Sequence, residues 1–193
     1  MIGNSILRWG WPAKLLHWVG AILILLLLGH GWWMTHLAAR PDRFAHYLGH
    51  AALGYDLLAL LVLRLLWRWT HAVPALPADL APWERLSARA GHIGLYLLML
   101  GSAVTGWALA GTFRTPMTKD VFGIPVPQIV ASQDRALHNL FEESHMILSY
   151  LLAALVLVHV AGALRHHFVK HNDVLRRMWF DSKAASTKPE SMP

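Results

Sequence analysis

Four stretches of this chain are too long and too apolar to be left in water. They run from about Leu15 to Met34, Tyr47 to Trp67, His92 to Ala110 and Ser144 to Leu164, each near the roughly 20 residues that cross bilayer hydrocarbon. Backbone groups in hydrocarbon must be paired within their own segment, so each stretch is a helix. The fold class that follows is all-α, an integral membrane four-helix bundle. Hydrophobic residues make up 55% and charged residues 15%, with mean hydropathy +0.39, outside the balance of water-soluble domains. Residues 1–181 form one transmembrane domain, and the polar stretch 182–193 is expected to be a disordered tail. The first apolar run lacks a small-residue cleavage pattern and reads as a retained span, not a signal peptide.

Orientation comes from the basic residues. With the N-terminus inside, Arg8, Lys14, Arg68, Arg85, Arg89, Arg165, Lys170, Arg176, Arg177, Lys183 and Lys188 are inner, against Arg40, Arg43, Arg114, Lys119 and Arg135 outer. That bias puts both termini of a multi-pass membrane protein in the cytoplasm. The net charge of +6 is therefore a topology signal and not a nucleic-acid footprint. Zero cysteines exclude disulfides, thiolate zinc sites and iron–sulfur clusters. Of the connections, residues 68–91 are expected to hold a short interfacial helix started by Pro82, and residues 111–143 form the longest loop.

Histidine placement carries the chemistry. His145 and His159 lie 14 residues apart in the fourth span. At about 100° and 1.5 Å per residue they return to within about 40° of one direction, roughly 21 Å apart. The alternating spans put His17 near the inner face with His159, and His50 near the outer face with His145. Each pair offers two imidazole nitrogens from opposed helices, the ligand set of a b-type haem. A single intramembrane histidine is often only an interhelical hydrogen bonder, but two depth-matched pairs exceed that explanation.

Other residues are weighed against the same frame. His46 shares a face with His50, and His50 is preferred because Gly54, four residues on, leaves room for a flat ring. His30 lies about 220° around from His17 and reads as a polar residue near the outer boundary. Arg64, 14 residues after His50, either neutralises a propionate of the inner haem or snorkels to lipid phosphate. His92 opens the third span and is a candidate contact for a propionate or a quinone, or an interfacial cap. His166 and His167 are interfacial, with contact to a quinone head as the alternative. His36, His71 and His138 read as loop residues.

At these positions the sequence resembles the bacterial cytochrome b561 family, four-helix dihaem membrane cytochromes. The matching features are His17-Trp18; His50 with Gly54 and Arg64; Gly91-His92 with Tyr96; Phe122-Gly123 with Pro127; and the His145/His159 spacing followed by RHHFVKHNDVLRRM. The resemblance implies two haem b groups held by His17, His50, His145 and His159, and ubiquinone as electron acceptor. One branch of that family looks like a superoxide:ubiquinone oxidoreductase. The outer connections here balance five basic residues against Asp42, Asp120, Asp134, Glu142 and Glu143, so only a local cluster could steer an anion such as superoxide.

The expectation is a membrane electron carrier that takes electrons at the outer face, from superoxide or from a redox partner protein, and gives them to quinone at the inner side. Three rivals use the same residues: a cytochrome b subunit of a larger dehydrogenase or hydrogenase, a haem-free metal or proton transporter, and a bundle whose histidines only pack.

Overall fold

A computed structural model describes residues 3–5, 8–36, 43–76, 80–115, 120–121 and 124–180. The expected tail 182–193, the Phe122-Gly123 pair and the link residues Arg40, Pro41 and Asp42 lie outside these. Four helices dominate: α1 Trp11–His36, α2 Arg43–Thr70, α3 Pro82–Ala110 and α4 Arg135–Phe168. All four are long and apolar enough to cross a membrane. Between α3 and α4 a minimal antiparallel ladder joins β1 (Asp120–Val121) to β2 (Ile124–Pro125).

The helices exceed the apolar spans at most ends, and two local expectations change with them. Pro82 starts α3 itself, with no break between Trp83-Glu84-Arg85-Leu86 and the span. Glu84 explains the start: its carboxylate accepts from the Ala81 backbone N–H at 3.1 Å, filling one of the donors a helix start leaves open. The loop after α3 is also shorter than expected, because α4 begins at Arg135. Asp134 caps it, its side chain accepting from Ala136 N at 2.8 Å. His138 is therefore a helix residue, bonded through Nδ1 to Thr112 Oγ1 at 2.8 Å, and His36 is the last residue of α1. At 34 residues, α4 is about 51 Å long and its ends stand beyond a hydrocarbon layer of about 30 Å.

The bundle is apolar outside as well as in. Leu61, Met99 and Leu152 form a small core with Ile24, Leu95, Tyr96, Leu98 and Val156 around it. Far more of the large side chains face outward, among them Leu97 at 64% and Leu157 at 71% exposure. Such a surface is stable only against lipid. This is a multi-pass membrane protein.

Neighbouring helices pack in chain order, α1 on α2, α2 on α3 and, most extensively, α3 on α4. By contrast α4 stands off from α1 and α2, with few backbone approaches between them. The start of α1 and the segment that follows α4 meet at one end of the bundle, called here the terminal end. There Lys14 Nζ donates to Trp179 O and Trp18 Nε1 to Met178 O, each at 2.8 Å. Arg177 Nη1 donates to Ala75 O at 2.8 Å, tying the segment after α4 to the α2–α3 connection. Glu84, its side chain 2% exposed, holds Arg165 at 2.9 Å and Lys170 at 3.2 Å and so clamps α3 to α4.

Candidate cofactor sites

The space between α4 and its two distant neighbours is faced by imidazoles. At the terminal end His17 of α1 meets His159 of α4, with ring centres 6.4 Å apart and planes at 77°. At the distal end His50 of α2 meets His145 of α4, 6.1 Å apart and at 84°. These are the two pairs that depth and spacing select. Two metal–imidazole bonds of about 2.0 Å in line, plus about 1 Å from each nitrogen to its ring centre, require ring centres about 6 Å apart. Both pairs meet that separation.

The distal pair has the surroundings of a ligand pair. Ser102 O can only accept, so His145 Nδ1 carries the proton and donates to it at 2.8 Å. That leaves His145 Nε2 as a free acceptor, the tautomer a metal ligand needs. His50 Nδ1 is buried and has no hydrogen-bond partner, an orphan that calls for an occupant. Two glycines make room for the rings. A Cβ at Gly106 would stand 2.9 Å from His145 Cε1, and one at Gly31 would stand 3.2 Å from His50 Cε1. At Gly54 a Cβ would meet nothing within 4 Å, so that position does front open space. His30 joins this end, 5.9 Å from His50 and 5.8 Å from His46.

The terminal pair is set differently. Arg64 donates from Nη1 to His17 Nδ1 at 3.0 Å and from Nε to Tyr96 OH at 3.1 Å. The guanidinium of Arg68 lies 5.9 Å from the centre of the Tyr96 ring. His92 reaches the same cluster, 5.5 Å from His159. His166 is turned elsewhere and accepts through Nδ1 from the Asn172 amide at 3.1 Å. His167 lines a cavity of about 250 Å³ with Phe168, His171, Asn172 and Arg176. Among the described residues no three or more His, Asp or Glu side chains converge as a closed metal shell.

Residue spacing alone missed Gly31, Ser102 and Gly106. The last two share a face at i, i+4, and a small-residue face opposite a histidine is a signal of ring clearance. Gly31 carries no comparable mark in the sequence.

The donor set fits bis-histidine haem at both ends, and comparison with known proteins places the chain in a family. Residues 8–181 match the family model of prokaryotic cytochrome b561. Cytochrome b561 homolog 2 of Escherichia coli (strain K12) is 32% identical over 178 residues, spanning 91% of this chain and 93% of that protein. A probable superoxide oxidase, CybB, of Yersinia pestis is 24% identical over 166 residues, 84% of this chain and 90% of its own. The chain therefore belongs to the prokaryotic cytochrome b561 family, membrane electron-transfer proteins for which haem b is the implied cofactor.

Proposed function

We propose that this protein is a dihaem membrane cytochrome that carries electrons from a donor at the outer face to ubiquinone near the inner face. The observation that carries the proposal is the pair of imidazole pairs, 6.4 Å and 6.1 Å between ring centres, at opposite ends of one bundle. Haem b, when bound, supplies reversible one-electron chemistry at each end. The basic residues favour the terminal end as the cytoplasmic one in the bacterial inner membrane, which makes His17 and His159 the inner ligands and His50 and His145 the outer ones.

The chain's own part is to hold and shape. His145 keeps its proton on Nδ1 by donating to Ser102 O and so keeps Nε2 free as an acceptor. Gly106 and Gly31 keep side chains off the outer rings, and Gly54 leaves space beside them. Arg64 places a permanent cation in the inner site, where a haem carboxylate is its natural partner. His92 faces the inner pair and is a candidate contact for a propionate or quinone. His166 and the cavity that His167 lines are further candidates for the quinone head. Residues 1–181 are proposed to act as one domain, of which residues 8–181 match the family model.

Superoxide is the proposed outer donor, on the strength of the relative named a probable superoxide oxidase. Two superoxide ions would each give up one electron and leave as dioxygen. Those two electrons, with two protons from the inner side, convert one quinone to quinol. The test is the spectrum of detergent-purified protein, oxidised and reduced, with haem counted per chain. Two low-spin b haems reduced by superoxide are expected. Two haems that superoxide leaves oxidised would keep the cytochrome and replace the donor with a protein partner, such as the other subunits of a dehydrogenase or hydrogenase. A colourless protein would overturn the reading.

A further inference from the structure

The two ends hold matched histidine pairs in unmatched electrostatic settings. Arg64 lies within the bundle, bonded to His17 Nδ1 at 3.0 Å and to Tyr96 OH at 3.1 Å. A guanidinium only donates and stays charged at any accessible pH. Neither His17 nor Tyr96 carries a negative charge that would cancel it. Arg68 adds a second cation one turn further along α2. At the other end the hydrogen bond to the pair comes from the opposite kind of group: Ser102 O accepts from His145 Nδ1. That carbonyl draws on the ring proton and makes His145 the more electron-rich ligand.

We propose that Arg64 is a positioning residue that sets the inner centre at the higher reduction potential, so that transfer from outer to inner is downhill. This rests on the dihaem reading above. A fixed cation disfavours the oxidised, more positive state of a nearby iron and so raises its potential, the more because the dielectric is low. The carbonyl-bonded His145 stabilises the oxidised state and lowers the outer potential.

The sign survives a rearrangement that the ring chemistry demands. An imidazole ligating through Nε2 keeps its proton on Nδ1, and a protonated Nδ1 cannot accept from Arg64. Filling the inner site through Nε2 therefore releases Nη1 from His17, while Tyr96 still holds Nε. If the freed guanidinium then pairs with a haem carboxylate, it cancels a negative charge that would otherwise lower the potential. In both arrangements removing Arg64 lowers the inner potential.

The test is a spectroelectrochemical titration of the purified holoprotein with haem counted per chain, on wild type, Arg64→Gln and Arg64→Lys. Wild type is expected to titrate in two steps. In Arg64→Gln the higher step falls at least tenfold in its reduction equilibrium, about 59 mV for one electron. The lower step stays where it was, and Arg64→Lys recovers most of the loss. Two retained haems with neither step moved in Arg64→Gln overturn the inference, as does an equal fall in Arg64→Lys. Should Arg64→Gln lose its inner haem, His50→Ala gives an independent answer. Its remaining step must match the higher one of wild type, and a match to the lower one overturns the inference. Absence of haem from the wild-type protein is the separate failure, that of the dihaem reading itself.

Discussion

The terminal and distal histidine pairs share one helix and nearly one ring separation, 6.4 against 6.1 Å, yet little else. Helical repetition makes them alike: His145 and His159 project from one face of α4, and each meets an imidazole from α1 or α2 across a gap. Their surroundings make them different. The distal rings sit among small residues, a backbone carbonyl and the neutral ring of His30, so their orientation is set by close approach and by one N–H···O bond. The terminal rings sit among Arg64, Tyr96 and His92, so theirs is fixed by charge and longer polar side chains. Spacing builds a pair of sites, and the lining decides what each one does.

The strongest way to break this comparison is to remove the histidines proposed as ligands. His50→Ala or His145→Ala is expected to cost the distal haem, and His17→Ala or His159→Ala the terminal one, each leaving about half the pigment. Haem per chain and the reduced spectrum measure it. Within each pair the two variants must lose the same spectral component, and equal residual spectra in all four would dissolve the distinction between ends.

A smaller effect sharpens the distal side. Gly106→Ala would set a Cβ 2.9 Å from His145 Cε1 and 3.1 Å from Nδ1, so the ring must move or the helices part. Overpacking of this kind costs about 1–3 kcal/mol. The expected outcome is a weakened or shifted distal signal with the terminal one intact. Gly54→Ala, with no protein atom within 4 Å of the new methyl, leaves His145 itself untouched, so its effect on the distal signal reports only crowding of the space proposed for the ring and is expected to be the smaller of the two. If the two glycines respond alike, close approach is not what orients His145.

At the terminal side, Glu84→Gln tests whether the clamp between α3 and α4 supports its pair. The change removes the charge that Arg165 and Lys170 share while keeping the size of the side chain. A lower thermal unfolding midpoint is expected, with the terminal signal broadening before the distal one on heating. Simultaneous loss of both signals would mean the ends do not melt separately.

Much of this arrangement is legible in the sequence. Period, length and depth selected four spans and four histidines, because a bilayer forces helices and a helix forces a face. What stayed hidden depends on contacts between distant residues. Nothing in the spacing of Ser102 says that its carbonyl takes the His145 proton, since every residue has a carbonyl. Glu84 reads as part of a separate amphipathic turn until its partners on and just after α4 are seen, and those lie 81 and 86 residues along the chain. Gly54 was visible for its spacing from His50, whereas Gly31 and Gly106 matter through rings contributed by other helices. Gly111 is similar: a Cβ there would overlap the Val130 carbonyl, a constraint set by how the α3–α4 connection folds back.

The smallest expected effect concerns the segment that follows α4. Trp18 stands beside His17 and donates Nε1–H to Met178 O at 2.8 Å, while its ring meets Trp179 edge-on at 5.4 Å. Trp18→Phe keeps an aromatic ring in place and deletes the donor. One neutral hydrogen bond is worth about 0.5–1.5 kcal/mol, and Lys14 Nζ still holds Trp179 O from the neighbouring turn. The segment should therefore loosen without leaving. Faster proteolysis after Arg176 or Arg177, at an unchanged haem count, is the expected result. A changed terminal-haem spectrum at that same count would mean that the segment reaches His17 through Trp18, and that the terminal site has a wall the distal site lacks.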